Sequence, residues 1–178
     1  MALRMPVVLV GMMGVGKSAI GHALARRLRV AHIDSDDEIV KAANMSISEI
    51  FDRDGEVFFR KREEEVLSRI LDDSPKVVST GGGAFVSSSN RQLISSKGFS
   101  VWLKADVTLL WNRLRLNETR PLLKKPNPLE FLTQLNQDRE KFYGMADLCF
   151  RITEKYKITD TAELLHKELR KNFNFEGI

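Results

Sequence analysis

Residues 9–24 read LVGMMGVGKSAIGHAL, and the fold turns on how this stretch is parsed. The apolar run that leads into it, residues 6–10 (PVVLV), lacks the alternation of a half-exposed strand. That is the pattern of a strand covered on both faces. The run stops at glycines, and beyond them Ile20, Leu24 and Leu28 recur at the spacing of one helix face. The turn between fits G-x-x-x-x-G-K-[ST] in full through Gly11, Gly16, Lys17 and Ser18, with Gly14 as an additional glycine. Glycines there let successive backbone N–H groups face phosphate oxygens, and the helix adds the positive end of its dipole. In such a loop Lys17 neutralises the β- and γ-phosphates of a nucleotide, and the Ser18 hydroxyl ligates Mg2+. A glycine turn without a ligand is the plain alternative. A strand before it and a helix after it are what a phosphate loop requires.

The remainder of the chain repeats the strand-then-helix rhythm. Further short apolar or β-branched runs lie at 30–33, ending at Asp34, and at 76–80 (KVVST), 99–103 (FSVWL) and 148–152 (LCFRI). Helical patterns cover 55–71, 106–116, 128–142 and 161–171, and Ser46 with Glu49 forms a capping-box pattern for another. In 55–71 the candidate core residues are Phe59, Val66, Leu67, Ile70 and Leu71. Pro128 suits a first helical position, with Asn127 as its cap and Glu130 three residues on. Strands alternating with helices predict an α/β fold: one domain over 1–178, a five-stranded parallel sheet flanked by helices on both faces. Residues 116–127 (LNETRPLLKKPN) carry no sustained period and are expected to form either a mobile lid or an idle surface loop.

Composition narrows the class. With 178 residues, 43% hydrophobic and 29% charged, the chain is long enough for one sizeable core. Its net charge of +4 comes from lysines and arginines spread along the chain, which argues against nucleic acid and suits an anionic small substrate. The lone Cys149 excludes an internal disulfide and a multi-cysteine zinc site, and is expected in the core. Arg4 followed by an apolar run imitates a secretory leader, but Lys17, His22 and the glycines interrupt it. No window approaches the ~20 apolar residues of a membrane span. The expectation is a cytoplasmic protein without a membrane or nucleic-acid partner, and a monomer.

Ligands of such sheets sit beyond the carboxyl ends of the strands, so the other strand ends are where an acceptor site is sought. The second strand ends in Asp34-Ser35-Asp36. If the chain stays extended, the two carboxylates point the same way, one to hold Mg2+ through water and one to accept a hydroxyl proton. A helix N-cap run over 34–38 is the competing reading. The third strand runs into Gly81-Gly82-Gly83, which allows close backbone approach to a ligand or makes a plain turn. Arg60 and Glu63, three residues apart, share a helix face, either as a solvated ion pair or as a carboxylate grip held in position by Glu63. Arg120 and Arg139 are further isolated arginines, each more often surface than site when taken alone.

Taken together, GMMGVGKS, DSD, FRKRE (59–63), GGG, TRPLL (119–123) and DREKFY (138–143) resemble the shikimate kinase family across essentially the whole chain. The resemblance implies ATP-dependent phosphorylation of the 3-hydroxyl of shikimate, a step towards chorismate and the aromatic amino acids. It implies that Gly14, Val15, Gly16, Lys17, Ser18 and Ala19 bind the ATP phosphates, with Arg113 near adenine. Ser18 would ligate Mg2+, and Asp34 would support the metal through water. Asp36 would bind the reacting hydroxyl and act as base. Arg60, Arg139 and the Gly82 backbone would hold shikimate, with Glu63, Gly81 and Gly83 around it, the arginines gripping its carboxylate. Arg120 would arrive on the lid and stabilise charge on the phosphates, which can be worth ~10³–10⁵ in rate.

The sequence departs from the family pattern in three places. Ala19 and His22 stand where threonine and arginine are usual, residues 141–143 lack a common proline, and 153–157 (TEKYK) does not show the usual adenine-side loop. The last departure leaves the adenine contacts open. Two other functions could use the same phosphate loop. A gluconate kinase would share the phosphate loop but would not need Arg60 and Arg139 to converge with a glycine triplet. An NTP-hydrolysing switch would leave DSD and FRKRE without a role.

Overall fold

The apolar run leading into the glycine loop forms the first strand of a parallel sheet, β1 (Val7–Val10), with every residue fully buried. In the computed structural model, which describes residues 3–115 and 126–172, the other strands are β2 (Ala31–Asp34), β3 (Lys76–Ser79), β4 (Phe99–Lys104) and β5 (Leu148–Arg151). Their spatial order is β2-β3-β1-β4-β5 and every pairing is parallel. The predicted five-stranded α/β architecture is therefore present. Val8 lies opposite Val78 on one side and Ser100 on the other, so β1 has a neighbour along both edges. In this register β1, β2 and β3 finish together, Leu9 beside Ser79 and Ser79 beside Asp34. The backbone N–H and the hydroxyl of Thr80 both donate to the Leu9 carbonyl, at 3.2 and 3.0 Å. The loops that leave these three strands are thereby brought to one edge of the sheet.

Seven helices connect the strands among the described residues: α1 (Lys17–Leu28), α2 (Ser35–Ala43), α3 (Ile47–Ile70), α4 (Ser88–Lys97), α5 (Val107–Leu114), α6 (Pro128–Tyr143) and α7 (Ile158–Asn172). The Ser46 capping box forms as its sequence predicts. The Ser46 hydroxyl accepts from the Glu49 N–H at 3.2 Å, and the Glu49 carboxylate accepts from the Ser46 N–H at 2.8 Å. Two orphan donors are satisfied at once, so Ser46→Ala is expected to cost about 1 kcal/mol in a denaturant titration. The helix that starts there is continuous with the one predicted over 55–71, and bends at Gly55, whose φ of 80° and ψ of 174° are not helical. Phe59, Val66, Leu67, Ile70 and Leu71 all join the core.

Other expectations are corrected. The chain does not stay extended through Asp34-Ser35-Asp36, because α2 begins at Ser35 and carries Asp36 in its first turn. Asn127 takes the cap position before Pro128 as expected, but with φ of 51° its side chain caps no backbone N–H and reaches Glu130 instead, at 3.3 Å. Cys149 is exposed on the edge strand β5 rather than buried. α4 has no sequence forecast. Its segment, SSNRQLISSK, has only Leu93 and Ile94 as large apolar residues, too few to show a period. No described helix is long and apolar enough to cross a membrane.

Candidate active site

Gly11, Gly14 and Gly16 all take positive φ, and the loop they shape closes on Lys17 at the start of α1. The Lys17 ammonium is largely buried and donates to the carbonyls of Gly11 and Met12, at 2.8 and 2.9 Å. One turn of chemistry away, the Ser18 hydroxyl donates to Asp34 Oδ2 at 2.5 Å. The other Asp34 oxygen accepts the Asp36 N–H at 3.0 Å and so caps α2. Asp34 is thus the helix cap of the competing reading, and it also faces the phosphate-loop serine.

Starting α2 at Ser35 turns Asp36 inward. Its Oδ1 is sealed from solvent and has no hydrogen-bond partner among the described residues. Burial pushes the Asp36 carboxyl up to about 6, and the carboxylates of Asp34 and Glu63 add to the rise while Lys17 opposes it. Glu63, on α3, is fully buried. Its Oε2 accepts from Arg60 Nη1 at 2.8 Å, whereas Oε1 has no partner among the described residues. Burial raises the Glu63 carboxyl above its ordinary value despite the guanidinium beside it. The Arg60–Glu63 pair is therefore no solvated surface bridge; only its outer partner Glu56, 3.1 Å from Arg60 Nη2, is exposed.

Two glycines of the triplet after β3, Gly81 and Gly83, sit where a side chain would be crowded. A Cβ on Gly81 would stand 2.7 Å from Asp36 Oδ1 and 3.1 Å from Glu63 Oε1. A Cβ on Gly83 would stand 2.5 Å from Arg60 Nη2. The triplet thus sits against Asp36, Glu63 and Arg60 together. Gly82 is held from a fourth direction, its carbonyl accepting from Arg139 Nη1 at 3.2 Å and from the Tyr143 hydroxyl, both on α6. Gly81→Ala is expected to displace the Asp36 carboxylate and lower kcat while leaving nucleotide affinity near normal in a binding titration.

Between the phosphate loop and the triplet lies a cleft of about 340 Å³, lined by Lys17, Ser18, Ala19, Asp34, Asp36 and Gly82 among others. A second hollow of about 230 Å³ continues past Gly14, Val15 and Gly16 to Arg113, Ile152, Tyr156 and Ile158. Arg113 reaches it from α5 and donates to the Val15 carbonyl at 2.9 Å. The structure accordingly gathers every predicted site residue except Arg120, which lies outside the described residues, as do residues 116–125 of the expected lid. Tyr143 and Tyr156 escaped the sequence reading. Tyr143 acts across 61 positions on Gly82, a relation no local pattern reveals. Tyr156 belongs to the segment in which no adenine-side signal is recognisable.

A phosphate loop, the Asp36 carboxylate across the cleft from it, and Arg60 and Arg139 against the neighbouring glycine triplet make fold and site those of a P-loop kinase with a small-molecule acceptor. The comparisons narrow this class. A family model described as shikimate kinase matches residues 13–169, and the chain belongs to the shikimate kinase family. It is 58% identical to the shikimate kinase of Ruegeria pomeroyi over 83% of this chain and 76% of that protein. It is 57% identical to that of Cereibacter sphaeroides, over 82% and 73%. A solved structure of shikimate kinase from Acinetobacter baumannii in complex with shikimate superposes with a TM-score of 0.89, at 33% identity, covering 97% of this chain and 96% of that one.

Proposed function

We propose that this chain is a shikimate kinase, transferring the γ-phosphoryl group of ATP to the 3-hydroxyl of shikimate to give shikimate 3-phosphate and ADP. The observation that carries the acceptor side is the Asp36 carboxylate, which lines the cleft beside the phosphate loop and has one oxygen, Oδ1, without a hydrogen-bond partner among the described residues. Membership of the family and the resemblance to a shikimate complex support the same reading.

That placement and the family membership support the residue roles of this reading. Shikimate presents its carboxylate to Arg60 and Arg139 and its reacting hydroxyl to Asp36, with the backbone of Gly81, Gly82 and Gly83 as the wall. Glu63 keeps Arg60 aimed through their 2.8 Å bond. Asp36 takes the hydroxyl proton as the oxygen attacks phosphorus. The phosphate-loop amides over 14–19 and the Lys17 ammonium hold the β- and γ-phosphates, and adenine lies in the hollow between Arg113 and Tyr156. The all-oxygen donors Ser18 and Asp34, 2.5 Å apart, fit Mg2+, which prefers few protein ligands plus phosphate and water. When bound there, the ion neutralises phosphate charge. Arg120 is assigned to the phosphates from a lid over about 116–127, within one domain spanning 1–178. Closure of that lid would keep water from the phosphoryl group. The site is read as cytoplasmic and monomeric, with no nucleic-acid or membrane partner.

The test is coupled ADP release with Mg·ATP, comparing shikimate, gluconate and no acceptor. Release strictly dependent on shikimate is the expected result. Release without acceptor would favour a hydrolase or switch, and dependence on gluconate would cancel the roles of Arg60 and Arg139.

A further inference from the structure

α3 presents two opposite faces. At about 100° per residue, Arg60 and Glu63 lie on one side and Phe58, Arg62, Glu65 and Arg69 on the other. The second side does not meet the candidate active site. Together with α2 it encloses a cavity of about 430 Å³, larger than the cleft beneath the phosphate loop. Its floor is apolar, with Ile39 from α2, Ile50 from the first limb of α3 and Val66 from the second all buried at its base. The bend at Gly55 creates the space, because the cavity takes Ile50 and Arg53 from before the bend and Phe58 to Arg69 from after it.

The rim is rich in guanidinia. Arg53, Arg62 and Arg69 line the cavity against one lining carboxylate, Glu65. Each guanidinium has a carboxylate neighbour: Asp54 for Arg53, Glu65 for Arg62 at 2.6 Å, and Glu38 for Arg69 at 3.3 Å. These pairs are solvent-exposed on the arginine side, and exposed pairs are weakly held, so an incoming anion can displace them. Arg62 is also stacked over the Phe58 ring, 4.9 Å from its centroid, which holds one guanidinium at the mouth. An apolar floor of drug-like volume with a few charged groups at the rim is the make-up of a small-molecule site.

We propose that this cavity binds a small amphipathic carboxylate: one aromatic ring seated on Ile39, Ile50 and Val66, with its carboxylate taken by Arg62 and Arg69. The occupant touches both limbs of α3 and so fixes the bend that positions Arg60. This coupling to the substrate site rests on the shikimate reading; the binding itself does not.

The experiment uses the full chain with 3-phenylpropionate as the probe and its neutral amide as the control. Methyl signals of Ile39, Ile50 and Val66 are followed by NMR. Saturable shifts are expected for the acid, at least tenfold weaker for the amide and for Arg62→Gln/Arg69→Gln, and lost in Ala42→Trp, which fills the cavity from exposed α2. Saturating shikimate should not displace the probe. No saturation by about 10 mM, equal affinity for the amide, or displacement by shikimate would each overturn the site. The KM for shikimate is then measured at saturating probe. A change of at least twofold in the natural chain, absent from Arg62→Gln/Arg69→Gln, is expected, and an unmoved KM would overturn the coupling to Arg60. Because the titration needs no turnover, failure of the shikimate reading and failure of this site are separable.

Discussion

Turnover with shikimate is expected to fall by about 10²–10⁴-fold in Asp36→Asn, with ATP binding retained. The amide keeps the shape of the side chain, but it cannot take a proton from the hydroxyl that attacks phosphorus. Near-normal turnover would remove Asp36 as the base. The same carboxylate predicts a pH profile. The base must be ionised, and burial with Asp34 and Glu63 nearby raises it to about 6, so kcat/KM should fall as the pH drops through that value. Stability responds in the opposite sense. A carboxyl that holds its proton more tightly folded than unfolded contributes stability below its unfolded value of about 4, and that contribution is lost as the pH rises through about 6. Asp36→Asn, uncharged throughout, should therefore melt above the natural chain at pH 7, with the advantage shrinking towards pH 4. Paired melting curves at the two pH values check this; an advantage independent of pH would show that ionisation is not its source.

The second large effect is expected in Lys17→Ala, which should lower ATP-dependent turnover by about 10³-fold in an intact fold. The Lys17 ammonium is pre-positioned at the loop by the Gly11 and Met12 carbonyls and is largely shielded from water, where its charge acts at full strength. Far-UV circular dichroism should match the natural chain, while nucleotide titration shows weakened binding. Unchanged activity would sink the phosphate-loop assignment. Lys17 also restrains the rise of the Asp36 carboxyl. Removing it should let that group titrate higher, an effect visible in the carboxyl carbon resonance even where no turnover remains.

The strands and the phosphate loop were legible because their signals are local. An unbroken apolar run, glycines and a lysine–serine pair occupy consecutive positions, and the parallel sheet follows from the alternation of short runs with helical ones. The capping box at Ser46 is likewise written in four residues. What stayed hidden was decided by competition or by distance. Extended geometry at Asp34-Ser35-Asp36 lost to the helix that Asp34 itself caps, and that start of α2 is what turns Asp36 inward. Cys149 is exposed because β5 is an edge strand, a matter of spatial order that its own sequence does not encode. The bond from Tyr143 to Gly82 joins α6 to the loop after β3, and only the folded chain brings them together. The glycine triplet could be singled out as unusual, but the reason for Gly81 and Gly83 lies in three side chains from α2 and α3.

The packing of α7 against α1 sets an order of events during synthesis. α1 carries Lys17 and Ser18 at its first turn, and it is covered by the last described helix, which buries Leu165 and Leu169 and pairs Glu163 with Arg27 at 3.0 Å. On the ribosome the phosphate loop emerges early, but the partner that covers its helix follows some 150 residues later. At ordinary elongation rates that interval is roughly 7–30 s. For that time the nascent chain holds the phosphate loop and α1 without the helix that covers α1 in the finished protein.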